Sequence, residues 1–355
     1  MSADRATVLV TGVAGDLGNR LVPTLRAAGC SLVGVDIHPP SQAGELIVFQ
    51  SADLGREESC DTMARLIRET GAQQVIHLAF VLDPRKAGIF DEERVWQINV
   101  AGTARVMEAI TEANRRGARV RQFIHVSSVA AYGPHLPVLA TERHPLEGDG
   151  PQYARHAREA DIVVQQRAAT LGNRCSAVIL RAQLFSGPEV HNYMLDALRG
   201  LPSARSTSGR KLIEKSTKLP IVMPWGTKWR ERQIQFVHID DVARVVAWFV
   251  AHPLRADAVE AFNVAGRGAT ISIEEAAQIT GAPIKQLPSR AAVGWALQAA
   301  WRSGVSDLPP DALPYVLGEY TLSTEKLRQW LGNDYESVIQ YTSTDALRAA
   351  LIAPA

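Results

Sequence analysis

The chain has 355 residues, 46% hydrophobic and 21% charged, and its 38 Lys and Arg are balanced by 37 Asp and Glu. That length fits two domains, or one large domain with a smaller appendage. The near-neutral balance supplies no field for nucleic acid or an anionic membrane surface, and no apolar run approaches the ~20 residues that span a bilayer.

The N-terminal stretch "MSADRATVLVTG" runs into a strand without the cationic and apolar regions of a signal peptide. Cys30, Cys60 and Cys175 match no metal-ligand spacing and are expected as reduced core residues of a cytoplasmic protein. Buried strands are predicted at residues 7–12, 31–36, 74–79, 122–128 and 176–182, each a β-branched or aliphatic run bounded by glycine or polar residues. Helices are predicted between them at residues 17–28, 57–70, 92–116 and 152–171. This alternation implies a parallel sheet with helices on both faces. Residues 199–226, rich in Ser, Lys, Gly and Pro, read as a long loop. Strand character returns at 234–240, a buried helix follows over 241–251, and another strand is expected at 261–266. Ser272 three residues before Glu275 is a capping-box pattern opening a mostly helical remainder.

The stretch "VLVTGVAGDLGNRLVPTL" sets Gly12, Gly15 and Gly18 between a strand and an amphipathic helix. A dinucleotide site needs glycine for the tight turn, close backbone approach for the pyrophosphate, and the unpaired N–H groups of a helix start. Gly12, Gly15, Asp16, Leu17 and Gly18 are the candidate contacts. Asp36 ends the second strand near the ~20-residue offset of a carboxylate that accepts from ribose hydroxyls. A carboxylate there repels a 2′-phosphate, so NAD is favoured over NADP.

The Gly-x-x-Gly-x-x-Gly spacing resembles the short-chain dehydrogenase/reductase superfamily, and the later motifs resemble its extended branch, the NAD-dependent epimerase/dehydratase type. The resemblance implies a Rossmann-type doubly wound parallel sheet with a smaller, mostly helical C-terminal substrate domain. It assigns residues 1–185 plus 235–267 to NAD binding and 186–234 plus 268–355 to the substrate region. Asp53 and Leu54 match the adenine-contacting position, Ala79 and Phe80 in "HLAF" the strand beneath the cofactor, and Asn99 in "INVAGT" a structural asparagine beside the active site. "VSSVAAYG" resembles the segment carrying the catalytic serine, here Ser128, and "RAQLFSGP" the stretch that meets the nicotinamide side. "QFVHIDDVA" matches a His-x-x-Asp element, although His238 also reads as a core histidine and Asp240 and Asp241 as a helix cap and a first-turn charge. His77 and His125 read as structural.

The resemblance makes Tyr153 the proton carrier and calls for a lysine at i+4, where this chain has Ala157. A cation ~5 Å from the phenol at an effective dielectric of ~20 is worth ~3 kcal/mol, about two pKa units. His156, ~60° from Tyr153 around the helix, is the better local substitute than Arg158 at ~140°. Three readings stay open: catalysis by Ser128 and Tyr153 aided by His156, a distant cation or an undemanding substrate; a different reaction on a substrate they orient; or a catalytically silent NAD-binding regulator or scaffold. The Arg–acidic–aromatic run that grips a diphosphate in sugar-nucleotide members reads Ile234–Gln235–Phe236 here, pointing to a small-molecule substrate without a diphosphate. Trp225 and Trp229 are candidate pocket aromatics, as is the apolar stretch 293–304 with Trp295 and Trp301. The long helices at 92–116 and 152–171 imply a homodimer by resemblance.

Overall fold

In a computed structural model that describes residues 6–319 and 321–352, the β-branched runs form the strands that their composition predicts. β1 (Thr7–Thr11), α1 (Asp16–Ala27), β2 (Ser31–Asp36), β3 (Val48–Ser51), α2 (Ser59–Thr70) and β4 (Gln74–His77) lead off the chain. Then come α3 (Glu92–Trp96), α4 (Gly102–Arg115), β5 (Gln122–Ser128), α5 (Gln152–Arg167) and β6 (Ser176–Ala182). With the strand Val259–Val264, the six make a seven-stranded, wholly parallel sheet. Its order is Val259–Val264, β6, β5, β4, β1, β2, β3.

Alternate strand residues feed opposite cores, as the period of two requires. Val8, Val10, Ile76, Ile124 and Val178 pack with Leu21 and Leu25 of α1 and with the helix Ile239–Ala251. Leu9, Val33, Val75, Phe123 and Ile179 pack with Met63 and Ile67 of α2 and Ile110 of α4. Both faces are thus covered, which is why the strands carry no polar alternation. Strand order reverses between β1 and β4, and the crevice at such a switch point is where a doubly wound sheet binds ligands.

A buried ion pair locks α5, β5 and β6 together. Arg181 on β6 donates from Nε and Nη2 to the two oxygens of Asp161 on α5, at 2.8 and 3.0 Å. Its Nη1 donates to the Tyr132 hydroxyl at 2.8 Å, and that hydroxyl donates to Asn263 at 2.7 Å. Ser127 of β5 donates to the same carboxylate at 3.1 Å.

The structure departs from expectation in four places. The edge strand β3 is not among the strands that composition predicts. The helix expected over 92–116 holds a π-helical turn at Gln97–Ala101. Residues 199–226 contain a helix, Thr207–Glu214, capped by Ser206, and a strand, Ile221–Pro224, parallel to Ile284–Leu287. Polar neighbours on both sides hide the short apolar run and the Ser cap from a reading of composition. The strand expected at 234–240 is two shorter pieces: Gln233–Ile234 pairs with Ile271–Ser272, and Phe236–His238 pairs with Leu184–Ser186. The capping box forms as predicted, with Glu275 N donating to Ser272 Oγ at 3.1 Å and Ser272 N donating back at 2.6 Å.

Asp161→Ala strands a guanidinium in a dry interior, and a loss of about 3–5 kcal/mol is expected in urea unfolding. The apolar pair Asp161→Leu with Arg181→Met should lose much less.

Candidate active site

The turn after β1 needs its glycines for space as well as for conformation. Gly12 has φ +72°, and a Cβ there would lie 2.5 Å from the Ala79 nitrogen at the end of β4. A Cβ on Gly18 would lie 2.4 Å from the Val13 carbonyl oxygen. Gly15 is the N-cap of α1 and offers no side-chain cap, so the first N–H groups of the helix keep no side-chain acceptor. Gly12, Gly15, Asp16, Leu17 and Gly18 all wall one cavity of about 250 Å³, Asp16 from an exposed position. Asp36 lies over this turn: its Oδ2 accepts from Ala14 N at 3.0 Å and its Oδ1 from His38 N at 3.2 Å. The backbone cradle, the helix start and the carboxylate suit a dinucleotide.

The far wall of the same cavity carries Ser128 and Tyr153. Ser128 ends β5, and its Oγ accepts from Ala130 N at 3.1 Å, which fixes the hydroxyl at the mouth of the strand. Phe80 meets the Tyr153 ring edge-on, centroids 5.6 Å apart. Burial pushes the Tyr153 phenol above its ordinary value, and a hydrogen bond with Ser128 pulls it part of the way back. Ala157 lines the wall beside them with a methyl group. Among the described residues of that wall, Lys86 is the standing cation; its Nζ is 3.9 Å from Asp196 Oδ2.

Other predicted site residues lie off this wall. Leu54 is 5% exposed and belongs to the core. Asp53 shares its carboxylate with Arg94, with Arg56 at 3.4 Å and with Gly55 N at 3.0 Å. Asn99, in the π turn, exchanges two hydrogen bonds with the Val81 backbone, at 2.7 and 3.0 Å, and so holds the chain leaving β4. His156 is 4% exposed, its Nδ1 lies 3.3 Å from Asn99 Nδ2, and burial lowers its pKa despite Glu159. Asp240 is not the cap of its helix; His238 Nδ1 accepts from Asp240 N at 3.2 Å and fills that role. Asp241 instead accepts from Gln340 N and Tyr341 N, at 3.0 and 3.1 Å, and ties down the C-terminal chain.

Nothing in the sequence marks Lys86 or Met194 for the cavity wall, because each comes from a segment without a motif, whereas Gln183 and Phe185 reach it from the "RAQLFSGP" stretch. His77 is structural, between the Thr11 and Thr103 hydroxyls at 2.7 and 3.0 Å. His125, read as structural, joins the cavity wall; its buried Nδ1 has no hydrogen-bond partner among the described residues, and burial lowers its pKa to about 4. Trp295 is 76% exposed and walls nothing, whereas Trp301 is stacked by Arg85, whose guanidinium carbon is 3.6 Å from the ring centroid.

A family model described as "NAD dependent epimerase/dehydratase family" matches residues 8–265. A UDP-glucose 4-epimerase from Mycolicibacterium smegmatis is 30% identical over 151 residues, 41% of this chain and 46% of the relative, so the match spans about half that protein's length. The Thermus thermophilus UDP-glucose 4-epimerase, solved with NAD, superposes with a TM-score of 0.66 at 19% identity, covering 97% of each chain. The Bordetella bronchiseptica enzyme WbmH, solved with NAD+, gives 0.66 at 16% identity over 98% of this chain and 96% of its own.

Two substitutions probe the cradle. Gly12→Ala should abolish dinucleotide binding and lower the melting temperature. Asp36→Ala should weaken NAD about 10- to 100-fold, the loss of hydrogen bonds to a charged acceptor, as read by titration calorimetry.

Proposed function

The chain belongs to the NAD dependent epimerase/dehydratase family, and on that premise we propose that it is an extended short-chain oxidoreductase or epimerase acting on a carbonyl or hydroxyl group of a small substrate that lacks a nucleoside diphosphate. NAD is the cofactor and supplies the hydride acceptor or, reduced, the donor. The observation that carries the reading is that Ser128 and Tyr153 share one cavity with the glycine turn and the start of α1.

The chain's own groups divide the work. The backbone at Gly12–Gly18 and the start of α1 hold the pyrophosphate, and Asp36 accepts from the ribose. The Ser128 hydroxyl hydrogen-bonds the substrate oxygen, and the Tyr153 hydroxyl exchanges its proton. With Ala157 at i+4 and the phenol raised by burial, Tyr153 stays protonated at neutral pH. It is ready to donate as a carbonyl is reduced, whereas alcohol oxidation needs the phenolate, present only above the raised pKa. Lys86, on the same cavity wall, is the candidate distant cation.

The substrate assignment departs from the relatives, whose names or bound ligands are UDP-sugars in several cases. Gln235, in the place of the diphosphate clamp, is committed to the Leu322 backbone, accepting at 2.7 Å and donating at 3.1 Å. Arg232 is 8% exposed and donates to the Val316 carbonyl. We assign residues 1–185 plus 235–267 to the cofactor and 186–234 plus 268–355 to the substrate, in a cytoplasmic homodimer built on α4 and α5. The three unpaired cysteines support a reducing compartment.

The missing cation favours a second reading, an NAD-binding regulator without turnover. Single-turnover absorbance at the reduced-nicotinamide band, with a panel of alcohols and ketones, separates the two: silence across the panel despite tight NAD binding selects the regulator. If Tyr153 carries the proton, Tyr153→Phe should lower turnover about 10²- to 10⁴-fold while NAD still binds. Alcohol oxidation should climb through the alkaline range. Ala157→Lys should raise turnover and shift that climb to lower pH; unchanged kinetics would remove Tyr153 from the role.

A further inference from the structure

A second cavity, about 290 Å³, shares the wall residue Met194 with the first. It is built by the segments least legible in the sequence. Leu198 comes from the helix Tyr193–Leu198, Met223 from the strand Ile221–Pro224, and Leu297 from the helix Arg290–Arg302. Trp229, Ile234 and Leu317 complete the lining. Its size is near the lower end of small-molecule sites, ~300–1,000 Å³.

The charged and hydroxyl groups on this wall are few: Arg232, Lys285 and Ser306. Arg232 donates to Val316 O, the Ser306 hydroxyl accepts from Leu308 N at 3.2 Å, and Lys285 is exposed. A diphosphate brings two negative charges and a ring of acceptors, and it needs several convergent donors to leave water. This chamber presents hydrocarbon instead. Resting on the oxidoreductase reading above, we propose that the substrate is an alcohol or ketone whose non-reacting end is an uncharged hydrocarbon, seated in this chamber beyond Met194 while its oxygen meets Ser128 and Tyr153. Met194 suits the junction, since an unbranched thioether side chain adapts to chains of different shape. In the oxidation direction the carbinol C–H leaves as hydride to NAD+, giving NADH, and the O–H proton passes to the Tyr153 phenolate. Reduction reverses both transfers.

The test uses the full chain saturated with NADH and a homologous series of straight-chain methyl ketones, short to long. Binding is read by displacement of an environment-sensitive apolar dye and by Trp229 fluorescence, and turnover by NADH absorbance. Affinity should rise about four-fold for each added methylene, from the burial of each CH₂, and level off once the chamber is full. Ala300→Phe and Ala296→Phe, each adding a ring to the chamber wall, should move that plateau to shorter chains without lowering the melting temperature. An affinity independent of chain length, or competitive binding of UDP or UDP-glucose in preference to the long ketones, overturns the proposal. Tight binding of long ketones without NADH consumption upholds the chamber and removes the oxidoreductase reading; turnover of short ketones without a chain-length gain does the reverse.

Discussion

The pairing of Arg181 with Asp161 is the constraint on which the relative placement of Tyr153 and Ser128 rests. Asp161 is 0% exposed and Arg181 3%, so neither charge has water to fall back on. Each is satisfied only when α5, β5 and β6 stand in one relative position. Tyr153 lies two turns before Asp161 on the same helix, and Ser128 lies one residue after Ser127 on the strand that donates to the same carboxylate. A shift of α5 along the sheet would break charge-assisted bonds before it moved the phenol far from the serine. The Tyr132 and Asn263 links carry the same network to the edge strand Val259–Val264. A polar cluster buried this completely is costly to disturb, and it converts the position of one helix into the position of one hydroxyl group.

That precision matters to the proposed chemistry, in which the phenol works without its expected neighbour. A lysine at i+4 would contribute ~3 kcal/mol towards the phenolate, whereas here burial acts in the opposite direction and only the Ser128 hydrogen bond opposes it. The two effects separate the directions of chemistry: a buried neutral phenol is a good donor to a developing alkoxide and a poor base at neutral pH. Burial also lowers the pKa of His156, and so disfavours a cation on the helix face beside the phenol.

Much of the fold is legible in the sequence because it depends on local, repeating signals. The five strands read from β-branched runs form at nearly the expected boundaries, and the glycine turn with Asp36 is recognisable because each residue answers a steric or hydrogen-bonding need within one βαβ unit. What the sequence hides depends on distant partners. The hold of Arg94 on Asp53 spans 41 positions, and the π turn that aims Asn99 at Val81 has no compositional mark. The strand Ile221–Pro224 exists because Ile284–Leu287 pairs with it, so a reading of residues 199–226 alone finds only polar loop. His238 reads as a core histidine and is one, its ring stacked on Tyr341 at 3.8 Å, but its capping of the next helix shows only in three dimensions.

The same division explains how chains only 16–19% identical share this fold. The cofactor crevice is made largely from backbone: a turn, the start of a helix, the ends of parallel strands. These survive any substitution that keeps the apolar pattern and the few glycines, so sequence can drift widely without moving the dinucleotide. The substrate side is made from side chains on short strands and helices that pair outside the main sheet. There, replacing an arginine by an isoleucine changes the chemistry of the wall without touching the sheet that positions Ser128 and Tyr153. On the proposed reading, such a fold fixes where hydride and proton move and leaves open what they move on, and the substrate class follows from the lining of the second chamber.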